Sequence, residues 1–531
     1  MISRHVYSAT LHHGSSEYPL SVRSGSVERD ESWAPHIRAD LTVAMPDAET
    51  LDALDPRESV RVLIAADSSS GSSASWDLGL RDRRINHREG TVDLSLTSDE
   101  ALLMGNALIW TGIDDTALLY QDSIRALIDA AVLEPIGAVL EPGDTDAPVP
   151  SLPSARNLVP NPSAEYIPGV GVGCTASQST AWAKAGTHSH HLHSPTSPDS
   201  YLLALATDMT AGGTYTAYGT IRLAGPLSGT IDTSRARSIV VIVDPGTGPY
   251  VLTTSQSAPN AASETDLDVT FTLPDPLVAA EVRYYLGATG GEVWWDAARV
   301  TPGPAIRGEV YFDGDTPDSD AYAYAWEGTP GYSISNRTAL HGRTPDALTR
   351  MPGDTLWDLI SPVLPTLEMR LYCDGERKWH LIPSDYVAEG HTDAAIAENL
   401  IDVTDSIDLS GDEFFDAVVV RYRWTDPDGV AREAYDVAGP ASPAAATVIE
   451  YNRPYPGPGA AAYILRRAQG RGRTLTGTTV SDYAATPSQS VTITAPPAPV
   501  QTGLIRSVRW DLGSDEMTLT TRGLTDTPES D

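Results

Sequence analysis

The chain has 531 residues, with 36 Lys and Arg against 71 Asp and Glu and a formal net charge of −35. That length is too great for one hydrophobic core, and that charge excludes a protein that wraps nucleic acid, whose phosphates need cations. Apolar residues at 41% with 20% charged residues exclude a disordered chain as well. Two cysteines, Cys174 and Cys373, share no Cys-x-x-Cys spacing, which excludes a disulfide-dense scaffold and a cysteine-ligated zinc site. The opening MISRHVYSATLHHGSS lacks the apolar core of a secretory signal, and no run approaches the ~18 apolar residues of a membrane span. The expectation is a soluble protein folded in a cytoplasm, without membrane insertion.

In chain order, residues 1–97 read as a β domain. Ile37, Ala39, Leu41 and Val43 alternate with Arg38, Asp40 and Thr42, the period-two pattern of a half-buried strand. Further strands are expected at 59–65, 76–82 and 91–97, with a Ser/Gly loop at 68–75. Over 98–140 the period changes: Tyr120, Ile124, Leu127, Ile128 and Ala131 mark one face of a helix that ends before Pro135. A Pro- and Asp-rich stretch, 141–156, predicts a linker that forms no core and acts as a semi-rigid stalk.

Residues 157–303 return to β, with strands near 214–223, 237–244, 267–273, 281–287 and 292–300. An acidic, aromatic segment covers 304–343. The span 344–400 reads as α+β, with a helix over 354–361 that Asp354 caps and Pro362 stops, then a hairpin over 369–383 around Asp374-Gly375. Residues 401–524 form a second β domain with one helical patch at 459–469, and 525–531 form a tail. The expected fold class is therefore mainly β with minor α: strand-rich flanking domains, helix-containing α+β segments and an inserted β-sandwich.

Chemistry-bearing motifs are few. A Gly-x-Ser-x-Gly elbow, a phosphate-binding glycine loop and an HExxH pair are all missing, so no catalytic residue is expected. Among the many carboxylates, Asp313 and Asp315 are the foremost candidates for a glycosidase pair, and a turn capped by Asp side chains is the simpler reading. In the tract 188-HSHHLH-193, a strand would place His191 and His193 on one face and His188 and His190 on the other. Exposed strand histidines explain the tract more simply than a metal site does. Arg466, Arg467, Arg471 and Arg473 form a basic cluster, either an ion-pairing surface for an acidic neighbour or a solvated helix end.

Rings with polar tips dominate, with 22 Tyr and 11 Trp against 4 Phe. Such rings suit surfaces that are apolar on one side and wet on the other, and the C–H faces of sugars stack on them. In the middle domain Trp182, Tyr201, Tyr215, Tyr218 and Trp294 are the candidate sugar-binding rings. The adjacent Trp294 and Trp295 must point to opposite strand faces.

Two resemblances rest on particular segments. The opening 157-NLVPNPSAEY-166 and closing 292-EVWWDAARV-300 of the middle domain resemble the first and last strands of jelly-roll carbohydrate-binding modules. That resemblance implies a β-sandwich, a host-surface glycan as ligand, and a structural Ca²⁺ held by Glu165 and Asp296. The segments 24-SGSVERDESWAPHIRADLTV-43, 311-YFDGDTPDSDAYAYAWEGTPGYSIS-335, 353-GDTLWDLI-360 and 504-LIRSVRWDLGSDEMTLTTRG-523 are similar, in order, to hub (minor tail) proteins of long-tailed actinobacterial phages. That second resemblance implies two tube-type β-barrels, at 1–97 and 401–524, in a non-enzymatic virion protein at the tail tip. It further implies a homotrimer, tail tube, distal tail and tape measure proteins as partners, and DNA passing without specific binding. The competing expectation is a polysaccharide depolymerase or cell-wall hydrolase with an accessory sugar module.

Overall fold

Alternation along the strands sets the architecture. In Ile37–Ala44 the residues Ile37, Ala39, Leu41 and Val43 are buried while Arg38 and Asp40 are exposed, so one face of the strand enters a core. The computed structural model describes residues 5–526, apart from 69–70, 121–122, 144, 205, 307–308, 341, 397, 408–414, 427–428, 469–472 and 499. It is mainly β and divides into two compact units. The first comprises Met1–Asp114, Ser123–Ala147 and Asp346–Asp531; the second comprises Asp115–Asp122 and Pro148–Pro345.

One 13-stranded sheet organises the first unit. Its early half runs Ser16–Leu20, His5–His13, Arg61–Ser68, Ser73–Asn86, Thr91–Thr97, Ile37–Ala44 and Val22–Asp30. There the sheet passes to the end of the chain: Ser26, Val27, Glu28, Arg29 and Asp30 pair antiparallel with Asp511, Trp510, Arg509, Val508 and Ser507. The late half continues through Gln501–Asp511, Glu516–Asp526, Arg473–Val480 and Leu400–Ile407, while Gln489–Thr494 bridges Gln501–Asp511 to Ala388–Ala395. The strand-rich ends are thus halves of one continuous sheet, and one core cluster draws on both.

Aromatic rings close this join. Trp76 and Trp510 lie 5.3 Å apart, Tyr483 packs 6.2 Å from Trp76, and the Arg29 guanidinium sits 5.9 Å and 5.8 Å from the two indoles. The Trp510 indole N–H donates to the Asp482 carbonyl at 2.9 Å. Gly25 admits the neighbouring strand, since a Cβ there would meet Leu41 Cδ2 at 2.6 Å and the Asp40 carbonyl at 2.7 Å.

The helical parts depart from expectation in detail. The helix read over 120–131 is a short α-turn, Ile124–Leu127, capped by Ser123 and continued by a π turn to Leu133, and Pro135 sits inside a following 3₁₀ turn. A proline is tolerated there because the first turn of a helix leaves its N–H groups unpaired anyway. The 354–361 helix spans Leu356–Ile360 and its cap is Thr355, not Asp354: Thr355 and Asp358 form a reciprocal capping box. The Pro-rich stretch is not a bare stalk. Val149 and Leu152 are buried, the Leu152 N–H donates to Tyr322 Oη at 2.7 Å, and the Pro153 carbonyl accepts two bonds from Arg337. Prolines bring no N–H groups to satisfy, which makes such a segment easy to bury once side chains serve its carbonyls.

The second unit contains a β-sandwich. One sheet runs Thr175–Ser179, Ser189–His193, Val293–Pro302, Thr214–Leu223 and Ser263–Thr272. The other runs Tyr250–Thr254, Ile239–Asp244, Ala279–Tyr285, Tyr201–Ala204 and Val170–Val172. Both contribute to one core that includes Ile221, Val241, Val282, Tyr284 and Trp295. Asn157 joins the start of this segment to its last strand: its amide donates to the Ala298 and Phe312 carbonyls, and its oxygen accepts from Val159 and Val300 N–H. Among the described residues, no helix is long and apolar enough to cross a membrane.

The seam rings carry a stability prediction. Trp510→Ala should cost about 3–5 kcal/mol, the range for truncating a large buried ring. Urea unfolding followed by circular dichroism measures it, and a cost below about 1 kcal/mol would remove these rings as the closure of the sheet.

Candidate functional site

Side chains on one strand alternate between the two faces of a sheet, and that rule sorts the candidate rings. On Thr214–Leu223, Tyr215, Ala217, Ile221 and Leu223 enter the core, so Thr216, Tyr218, Thr220 and Arg222 point the other way. The register places three rows across this outer face. Asp268, Tyr218 and Arg299 form one; Asp266, Thr220 and Asp296 the next; Glu264, Arg222, Trp294 and His191 the third. A bulge opposite Gly219, where Ala297 adopts a φ of 52°, restores the outward direction of Arg299.

Trp182, Tyr218 and Trp294 belong to this face. Trp182 stands in the loop before Ser189–His193, and its indole N–H donates to Glu264 at 3.2 Å. Tyr218 is half-buried, with the Arg299 guanidinium 4.0 Å from its ring. Trp294 is stacked under His191, with centroids 4.6 Å apart and planes 3° from parallel, and is only 8% exposed. Lys184 pairs with Glu264 at 2.8 Å and lies 3.7 Å from Asp266. A groove of about 610 Å³ runs beside these side chains, lined among others by Lys184, Tyr218, Asp266, Asp268 and Arg299. Its polar, charged walls and half-buried tyrosine suit a ligand with many hydroxyls and some apolar surface.

Tyr201 and Tyr215 do not join this face. Tyr215 is three residues from Tyr218 and therefore points inward, where it packs against Phe271 and accepts from the Thr210 N–H. Tyr201 belongs to the opposite sheet, buried against Tyr285 under the Arg283 guanidinium at 4.4 Å. Arg299, Asp266, Asp268 and Lys184 were not singled out from sequence. The alternation of Glu264, Asp266 and Asp268 with Leu267 and Val269 placed those carboxylates on one face, and was the available signal.

Glu165 and Asp296 converge on the loop 184–188. Asp296 Oδ2 accepts the Lys184 and Ala185 N–H groups at 2.5 and 2.9 Å, and Oδ1 accepts that of Ala297 at 2.7 Å. Glu165 Oε1 accepts the Thr187 and His188 N–H groups at 2.5 and 2.6 Å, while Oε2 meets Thr187 Oγ1 and His188 Nδ1 at 2.8 and 3.0 Å. A Ca²⁺ ion takes about six to eight oxygens, and these are already engaged by N–H and O–H donors. Among the described residues, no three His, Cys, Asp or Glu side chains gather into a metal-binding group. In this arrangement the two carboxylates tie the loop to the strands directly.

Their charges are tuned apart. Burial, assisted by the nearby Glu165 charge and opposed by three N–H bonds, pushes Asp296 up to about 7. Burial also raises Glu165, but the bonds from His188 and Thr187 outweigh it and hold this carboxyl below its usual range. Elsewhere, Asp313 Oδ1 accepts the Asp315 N–H at 2.9 Å, and Asp315 accepts from Tyr166 Oη and the Trp326 indole. Asp313 is thus a turn-forming carboxylate, while Asp315 holds two aromatic side chains. His190 is buried with Nε2 on the Asn161 carbonyl, and burial lowers it to about 4. The arginine cluster is internally paired: Arg466 with Glu368, Arg467 with Glu31 and Arg473 with Asp405, while Arg471 lies outside the described residues.

No protein-family model matches the chain, and no curated protein matches it. Among solved structures, the tail protein from Neisseria meningitidis MC58 is similar at 10% identity and a TM-score of 0.40, over 97% of this chain and 96% of its own. The 43 kDa tail protein of prophage MuSo2 from Shewanella oneidensis is similar at 8% identity and a TM-score of 0.42, over 97% and 98%. A family 16 carbohydrate-binding module covers 27% of this chain and 99% of its own, at 16% identity and a TM-score of 0.21.

The Asp296 environment sets a pH dependence. The native carboxyl holds its proton up to about 7, whereas the ordinary value is 3.8, so the native state binds more protons in that window. Stability attributable to this group therefore falls as pH climbs between those values and is flat above them. The melting temperature of Asp296→Asn relative to the parent should rise from about pH 5 to about pH 8. Melting in EDTA and in millimolar Ca²⁺ should coincide, and a Ca²⁺-dependent rise would return the pair to metal binding.

Proposed function

We propose that the chain is a structural component of a phage tail tip, a hub or minor tail protein, and that its sandwich is a glycan-binding module. The observation that carries the reading is the join of Val22–Asp30 to Gln501–Asp511, which makes the two ends of the chain one scaffold while the sandwich lies between them in sequence. It is supported by the order of the four tail-hub-like segments along the chain. A scaffold with two strand-rich halves lets three copies present six such halves to a six-fold tail tube and three sandwiches to the host surface. Closing a ring also gives partners to edge strands such as Ser16–Leu20 and Leu400–Ile407.

In this role the partners are tail tube, distal tail and tape measure proteins, and the location is the virion tail tip after assembly in the host cytoplasm. The net charge of −35 lets DNA slide past without adhering, because like charges repel within a Debye length of ~8–10 Å. The outer face bearing Trp182, Tyr218 and Trp294 takes a host-surface glycan, with hydroxyls on the exposed Asp266 and Asp268 side chains. The role is binding and assembly, not catalysis.

Native mass measurement of the purified chain, alone and with its tail proteins, should give three copies; a monomer in both settings overturns the ring. Trp182→Ala and Tyr218→Ala should each weaken adhesion to purified host envelope by about tenfold and leave the mass unchanged. Tyr215→Ala should instead destabilise the sandwich by about 3–5 kcal/mol, the cost of removing a buried ring. Adhesion untouched by the first two variants removes this face as the glycan site, and release of soluble reducing sugar from the envelope would favour a depolymerase.

A further inference from the structure

The first unit holds a charge cluster that glycan binding does not use. Glu31, only 4% exposed, follows the strand Val22–Asp30 and meets three arginines from three other elements. Its Oε1 takes Arg467 Nη2 from the helix Ala460–Ala468 at 2.7 Å and pairs with Arg522 of Glu516–Asp526. Its Oε2 accepts from Ser488 Oγ at 3.0 Å and lies 3.8 Å from Arg370 Nη1 of Met369–Cys373, which also donates to the Glu31 carbonyl at 2.5 Å. Among the described residues, Glu31 is the one carboxylate seen in an ion pair with any of these three guanidiniums. One negative charge therefore meets three positive ones, inside a chain whose acidic residues outnumber its basic residues 71 to 36.

A cavity of about 270 Å³ opens beside the surplus, lined by Arg370, Arg467 and the rings of Trp33, Trp357 and Tyr463 among others. The Arg467 side chain is 9% exposed, and its Nη1 has no hydrogen-bond partner; Nε of Arg370 is in the same state. Buried donors without acceptors are costly, and a second anion would serve them. His36, also on the wall, reports the local field: burial, then Arg29 and Arg370, hold it neutral, with its pKa down at about 3.

We propose that this cavity receives a carboxylate carried by an acidic segment of another polypeptide. The guanidinium fork matches carboxylate geometry, and the indole and phenol walls suit the apolar stem of a Glu or Asp side chain better than a hydrated inorganic anion. The volume admits a side chain and its flanking backbone, not a folded domain. This surface is separate from the sandwich face, so its failure would leave the glycan reading standing.

The test uses the full chain and labelled peptides, read by fluorescence anisotropy, with thermal shift for unlabelled probes. Hexaglutamate should bind and raise the melting temperature, and hexaglutamine should do neither. Ser361 also lines the cavity, so Ser361→Asp supplies an internal carboxylate and should weaken hexaglutamate binding by about tenfold, while Ser361→Asn, similar in shape and uncharged, should bind as the parent does. Because neither variant removes an arginine from the Glu31 cluster, both are expected to fold. Equal binding of the two peptides, equal binding by the two variants, or an equal thermal shift from inorganic phosphate alone would each overturn the proposal.

Discussion

Five backbone pairs between Ser26–Asp30 and Ser507–Asp511 make the large sheet of the first unit continuous, and among the described residues no other ladder joins its early half to its late half. Every other strand in that sheet pairs within its own half. The ladder alone would be a weak join, since exposed backbone bonds contribute only modestly after exchange with water. It is secured by burial: Trp76, Trp510 and Tyr483 meet behind it, and Arg29 lays its guanidinium against both indoles. Glu31 extends the same seam, accepting from arginines on three later elements while its own N–H donates to the Arg506 carbonyl. Residues nearly five hundred positions apart are thus fixed by one stretch of hydrophobic and ionic contact.

The sandwich obeys a simpler constraint. Once one face of each strand is committed to the core, every polar group on the opposite face falls into a row set by register. Tyr218 acquires Asp268 and Arg299 as neighbours for that reason, and Arg222 acquires Glu264 and Trp294. The bulge at Ala297 departs from that simple register, and it keeps both Asp296 and Arg299 on the outer face of the same strand. The groove is therefore a consequence of pleat and register more than of any dedicated loop.

Glu165 and Asp296 show how one task admits two chemistries. Fastening a loop across the first and last strands of a sandwich needs acceptor oxygens near several chain segments. A cation between them is one solution; direct acceptance of the N–H groups of residues 184, 185, 187 and 188 is another, and the two carboxylates make those bonds here. Gly186, with a φ of 65° and Glu165 against the position of any Cβ, lets the loop turn tightly enough to aim those N–H groups.

The alternation in 37–43, 91–97 and 214–223 determined strands and their buried faces locally, because a two-residue period is written in the chain itself. The same rule, applied to its end, separates Tyr215 from Tyr218 without any structure. Sequence likewise determined the hairpin at 369–383 and the helix Ala460–Ala468, where short-range pattern suffices. It did not determine that Pro148–Pro153 would be packed, because burial of that stretch depends on Tyr322 and Arg337, each more than 160 positions away. Nor did it determine that Arg467 would pair with Glu31 rather than face solvent, or that the two flanking domains would share one sheet and one core. Those outcomes rest on contacts between residues distant in the chain, whose partners no local pattern specifies, and only the folded arrangement decides them.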